Sequence, residues 1–343
     1  MHASPAVPPH GPVKAPRKPV CRAAAVVAAA AVVAVLAACG SSNASTSRGS
    51  SAVEKPDLTV AVVPAISAAG LYIAQQRGYF TAAGLHVNIV PVASGVDAIP
   101  NLVNGSVDID EGQWAADLAA QAKGVAQLYA LAAASAGGPG VQEIVVPDGS
   151  PIRTVAQLRG ATIAVNALNG LAVLATVIML ASNGVPASSV HFAVFSFPAM
   201  GAALAGRKVE AAFIAEPSLS AAETGHGVQP LFDVDQGPTH NIPISGYVVT
   251  KAWARRYPRT AAAFTAALER GQRVAGTDRA AVEQALIPAL HITRTTAAMM
   301  ALGTFPLSVN SIALQRVADL MQQNGLLPKS VNAMILVGEL TTR

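Results

Sequence analysis

From Asp57 onward, short apolar runs alternate with stretches whose apolar residues recur every three or four positions. DLTVAVV (57–63) reads as a strand, 69–77 as a helix stopped at Gly78, and LHVNIVPV (85–92) as a strand with Leu85, Val87 and Ile89 on one face. Val96, Ile99, Leu102 and Val103 form the stripe of a helix that ends at Asn104-Gly105, and SVDID (106–110) follows as a short strand. Residues 114–123 read as a helix, then LYALAAA (128–134) and QEIVVP (142–147) as strands. After Pro147 the rhythm restarts with a short helix at TVAQLRG and a strand at ATIAV. A long apolar helix, GLAVLATVIMLASNG (170–184), comes next. Strands HFAVFSF, EAAFIA and VQPLF then alternate with helices, SGYVVT (245–250) returns as one more strand, and everything from Ala252 is helical in pattern.

This βαβα alternation predicts an α/β protein built from two doubly wound lobes, with a helical C-terminal segment. The first lobe is expected over 57–146 and 244–343, the second over 147–243, so the chain crosses between them twice. Length agrees, since 343 residues exceed one ordinary core. A composition of 52% hydrophobic and 12% charged residues excludes a disordered chain.

The N-terminus has another character. Lys14, Arg17, Lys18 and Arg22 precede the apolar run 23–38, which has the length of a signal-peptide core. The sequence LAAC, Leu36 to Cys39, is similar to a bacterial lipobox, so residues 1–38 read as a lipoprotein signal peptide and Cys39 as the lipidated first residue. An uncleaved anchor or a soluble secreted form are the other readings. The Ser/Gly-rich residues 39–56 read as a flexible tether.

Cleavage changes the charge balance. It removes four of the 23 basic residues, leaving 19 against 19 acidic ones, so no nucleic-acid-binding face is implied. It also removes Cys21, leaving no thiol in the folded part and therefore no disulfide, Cys-ligated metal or thiol nucleophile. Neither a metal nor another cofactor is expected. No G-x-S-x-G, H-E-x-x-H or P-loop pattern occurs, and His86, His191, His226, His240 and His291 are scattered.

Several motifs in order resemble the solute-binding proteins of bacterial ABC importers for nitrate, taurine, alkanesulfonates and thiamine-pyrimidine precursors. They are Tyr72-Ile73-Ala74 with Gly78-Tyr79-Phe80, ASGVDAIPNLVNGSVDI (93–109), IRTVAQLRGATIAV (152–165), ALAGRKVEAAFIAEP (203–217) and SGYVVTKAW (245–253). The resemblance spans about 57–257 and departs at Ala156, where an acidic residue is usual. It implies a periplasmic-binding-protein-like (type II) clamp with a small ligand between its lobes, a monomer that works with a permease and its ATPase. Such a protein would be held by lipid on the extracytoplasmic face of the membrane. A ligand sensor without transport, and an enzyme on the same fold, are the alternatives.

Doubly wound sheets bind ligands at the carboxyl ends of their strands. That rule nominates Ser67, Ala69 and Gly70 before the first helix, Ser94 and Gly95 before the second, and Gln113 and Trp114 after the third strand. Across the cleft it nominates Asn166, Asn169 and Glu216, with Tyr247 near the return crossing. Each has a structural alternative. The small residues 67–70 either admit a ligand to backbone N–H groups or permit tight packing; Trp114 either stacks on ligand or fills the core; Glu216 either binds a ligand amine or caps a helix. Asp108 and Asp110 read as edge or hinge polar contacts. With no Arg or Lys among the nominated loops, a small neutral or zwitterionic nitrogen compound fits better than nitrate or a simple sulfonate.

Overall fold

The computed structural model describes residues 52–337. The expected signal peptide, Cys39 and most of the tether lie outside the described residues.

The first lobe opens with β1 (Asp57–Val62), α1 (Ala69–Gln76), α2 (Tyr79–Ala82), β2 (His86–Pro91), α3 (Gly95–Asn104), β3 (Ile109–Gln113), α4 (Trp114–Ala122) and β4 (Leu128–Ala136). The second holds β5 (Gln142–Pro147), β6 (Thr162–Val165), α5 (Leu171–Ser182), β7 (His191–Val194), α6 (Phe197–Ala205), β8 (Ala211–Ala215), α7 (Ser218–His226) and β9 (Val228–Asp233). The chain returns through β10 (Pro243–Thr250) and finishes with α8 (Lys251–Arg256), α9 (Pro258–Ala275), α10 (Arg279–Leu290), α11 (Arg294–Met299), α12 (Ser311–Gln323) and α13 (Met334–Val337).

Each lobe has a five-stranded mixed sheet, in the orders β2-β1-β3-β10-β4 and β7-β6-β8-β5-β9. In both, parallel strands joined by helices are closed by an antiparallel strand that comes from the far side of a crossing. Strand β5 pairs with β8 and β9. Residues 142–146 therefore belong to the second sheet, not to the first lobe as expected. The crossings are 137–141 and 234–242. Periodicity could not distinguish these placements, because a strand looks the same whichever sheet it joins.

The apolar patterns become burial. Every residue from Leu171 to Leu180 is buried, which explains why α5 is apolar on all sides. Phe80 stacks on Phe264 at 5.2 Å between ring centroids, tying α2 to α9. Gly78 and Gly105 take left-handed conformations (φ 68° and 81°) at the turns where the sequence stops its helices.

The expected tether ends early. The Glu54 carboxylate accepts from the peptide N–H groups of Arg259 (3.1 Å) and Thr260 (2.8 Å) at the start of α9, and Lys55 Nζ reaches Asp108 Oδ2 at 2.9 Å. Residues 54–55 are thus docked on the first lobe. Asp108 also accepts from Thr59 N and Trp253 Nε1, both at 3.0 Å, so it is a structural joint.

Candidate functional site

A cavity of about 20 Å³, room for about one water, lies where the strand ends of the two lobes meet. The first lobe contributes Ile66, Ser67, Glu111, Gln113, Ser135 and Ser245, and the second contributes Gln142, Phe197 and Ala215. The lobes touch directly around it. Ile66 N donates to the Glu216 carbonyl at 3.0 Å, and Leu171 N, at the start of α5, donates to Gln113 Oε1 at 3.4 Å. The lining carries hydroxyls, amides and one carboxylate, with no Arg, Lys or His.

That carboxylate, Glu111, was not nominated from sequence. On β3 the side chains alternate, so Glu111 and Gln113 point one way while Asp110 and Gly112 point the other. Glu111 is 1% exposed and its Oε1 has no hydrogen-bond partner among the described residues. Burial pushes its pKa up to about 8; hydrogen bonding from the Ser245 and Ser67 hydroxyls and the Val63 backbone opposes the shift. Behind the strand, a methyl group placed on Gly112 would lie 2.8 and 2.9 Å from the Asp117 oxygens and 3.0 Å from Asp110 Oδ2, so two further carboxyls converge there. Both are fully buried, without hydrogen-bond partners among the described residues. Burial raises both pKa values; repulsion from Asp117 and then Glu111 adds to the shift of Asp110, and repulsion from Glu111 adds to that of Asp117. Asp110 is therefore neither a solvated edge nor a hinge contact, contrary to the sequence reading.

The nominated residues separate. Ser67 and Gln113 line the cavity. Ala69 is fully buried, and a side chain on Gly70 would strike Gln272 Oε1 at 1.9 Å. On the facing helix, a side chain on Gly271 would come within 2.0 Å of the Gly70 carbonyl oxygen. The small residues of α1 thus make room for α9, not for ligand. Gln272 then donates to the carbonyls of Ala133 (2.9 Å) and Ala134 (2.8 Å), joining α9 to β4.

Ser94 donates to Asp97 Oδ2 at 2.8 Å, and Gly95 allows α3 to start against the backbone of Gly112 and Gln113; neither lines the cavity. Trp114 is 1% exposed, with Gly246 against its ring, so it fills the core instead of stacking on a ligand in the cleft. Tyr247 is also fully buried, edge-on to Phe264 at 5.8 Å. The Glu216 carboxylate accepts from Ser220 N (3.1 Å), Ser220 Oγ (2.8 Å) and Ala301 N (3.0 Å); it caps α7 and ties down the C-terminal segment. Asn166 is buried outside the cavity lining, with no partner for either side-chain polar atom among the described residues, and Asn169 is exposed.

Strand pairing assembles the rest of the lining. Ser245 of β10 lies opposite Gln113 in one direction and Ser135 in the other, with the two hydroxyls 3.0 Å apart. These contacts span more than a hundred residues of chain, so local pattern holds no sign of them. Glu111 did have a local sign: an acidic residue continuing a strand toward its carboxyl end.

Comparison with known proteins bears on this geometry. The alkanesulfonate-binding protein SsuA from Xanthomonas axonopodis pv. citri, bound to MOPS, superposes with a TM-score of 0.71 at 22% identity, over 83% of this chain and 99% of that one. The periplasmic aliphatic sulphonate binding protein SsuA from Escherichia coli gives 0.66 at 22% identity, over 84% and 94%. The periplasmic nitrate-binding protein NrtA from Synechocystis PCC 6803 gives 0.70 at 17% identity, over 82% and 85%. These likenesses establish the periplasmic-binding-protein-like fold. No curated protein matches the chain. The family described as NMT1/THI5 like matches residues 65–278, a stretch that holds most of both lobes and the cavity between them, and the chain belongs to that family.

Proposed function

We propose that this protein is the extracytoplasmic solute-binding component of an ABC importer, which captures a small polar organic molecule containing nitrogen or sulfur and delivers it to a permease and its ATPase. The observation that carries the reading is the cavity closed by both lobes, whose walls come from the strand ends of each sheet. Parting of the lobes would widen that narrow space enough to admit a small molecule. Two crossings of a few residues each give the lobes a route to part and close. Structural likeness to sulfonate- and nitrate-binding proteins supports capture in preference to catalysis.

In this reading Cys39 carries a lipid that holds a monomeric protein on the outer face of the membrane, and the residues up to 53 let it reach the permease. Ser67 and Gln113 contact ligand from the first lobe. The test is uptake: deleting the gene should abolish accumulation of a solute that the purified protein binds, and the wild-type gene should restore it. Normal uptake after deletion, with the protein still binding that solute, would favour a sensor over an importer component.

A further inference from the structure

We infer that the cavity selects solutes bearing a protonated nitrogen, an amine or amidine, whose N–H groups bond to the Glu111 carboxylate; this rests on the cavity being the solute site proposed above. The geometry is specific. Glu111 is 1% exposed, lines the cavity, and leaves Oε1 without a partner among the described residues. A buried carboxylate with one oxygen unpaired is destabilising when ionised, and a ligand cation bonded to that oxygen offsets part of the cost.

Among the described residues no basic side chain lines the cavity, so a sulfonate or nitrate finds no positive charge there, and above about pH 8 it meets an ionised Glu111. Asp110 and Asp117, converging over Gly112 behind the same strand, add negative potential when ionised. The remaining polar lining suits the other parts of such a solute. The hydroxyls of Ser67, Ser135 and Ser245 and the amides of Gln113 and Gln142 can each donate or accept.

Binding is then coupled to a proton. Unliganded, Glu111 holds its proton up to about pH 8, so a permanently charged solute must displace it. The titratable groups around it are Asp110 of its own strand, Asp117 of α4, Tyr72 of α1 and Tyr247 of β10. The residues facing it from the second lobe, Gln142, Phe197 and Ala215, carry no charge. The aspartate pair remains in a Glu111 variant, relieved of the repulsion from Glu111.

The test uses one ring with three head groups, benzamidine, benzamide and benzenesulfonate, together with butylamine, butanesulfonate and nitrate. The purified protein is titrated with each by calorimetry. At least one cation should bind no less than tenfold tighter than its neutral or anionic counterpart. Glu111→Gln should remove that preference, a loss of tenfold or more in cation affinity, while its melting temperature at pH 8 shows it folded. Wild-type affinity for the cation should rise by up to tenfold per pH unit from pH 6 toward 8, and the variant's should stay flat.

Binding of the sulfonates or nitrate without the cations, unchanged cation affinity in Glu111→Gln, or no binding by any cation would each overturn the inference. A sulfonate that binds and closes the lobes would do so while leaving the binding-protein reading intact. A bound cation that leaves the lobes open would instead count against the clamp and not against Glu111.

Discussion

At the scale of residues, the centre of the molecule is a buried acid without a base. Glu111 is ionised in the unfolded chain above about pH 4.5 but keeps its proton in the folded protein to about pH 8. The folded state therefore binds more protons across that window. Stability is greatest below pH 4.5 as far as this group is concerned and falls as pH rises toward 8. The melting temperature of the unliganded protein should decline between pH 5 and 8, and Glu111→Gln should reduce the decline. Equal slopes in the two proteins would show that Glu111 does not titrate as described. Trp114 makes the opposite point. With its ring against Gly246 and only 1% exposed, it is a core residue, and Trp114→Ala should cost roughly 3 to 5 kcal/mol of stability. A denaturant midpoint unchanged by that substitution would contradict its placement.

At the scale of elements, α1 and α9 meet backbone to backbone through Gly70 and Gly271. Their closeness explains the run of small residues that begins α1, and it gives a test. Gly271→Ala should destabilise by about 1 to 3 kcal/mol through overpacking, with solute affinity preserved in the folded fraction. A stable variant with weakened binding would return that stretch to the ligand site.

The alternating strands and helices were legible in sequence because burial on a sheet or a helix face imposes a period on the chain. The helix stops at Gly78 and Gly105 were legible because only glycine takes a left-handed turn without strain. What escaped was long-range. The sheet that β5 joins, the α9 partner of Gly70, and the meeting of Ser135, Ser245 and Gln113 all depend on pairings between distant segments. The loop rule led to the strand ends around the cavity, but residues beside the cavity and residues supporting it share those loops. Only packing separates Ser67 from Gly70, or Gln113 from Trp114.

At the scale of the whole molecule, the lobes are held together by a few polar contacts around the cavity. Ile66 N bonds the Glu216 carbonyl, Gln113 receives the start of α5, and Glu216 binds Ala301 of the C-terminal segment. The Arg316 guanidinium adds bonds to the carbonyls of His240 (2.9 Å) and Asn241 (2.8 Å) on the second crossing. Gln113→Ala, which removes a contact between lobes as well as a cavity wall, should weaken solute binding by about tenfold or more, about 1.4 kcal/mol, with little effect on melting. Undiminished affinity by calorimetry would exclude Gln113 from both roles. Attachment to the membrane is a separate property: Cys39→Ser should shift the protein from the membrane fraction to the medium or leave it unprocessed, and unaltered fractionation and processing would refute the lipid anchor.

The central claim is that two lobes close on a small solute, and a distance between them tests it most directly. The mature domain has no cysteine after Cys39, so spin labels at Thr81→Cys and Asn183→Cys, both exposed and on opposite lobes, can be placed singly in a protein starting after that residue. Pulsed electron resonance with and without a solute whose binding calorimetry has established should show a broad or longer distance collapsing to one shorter distance on saturation. A distribution that stays the same when the site is full would contradict the clamp.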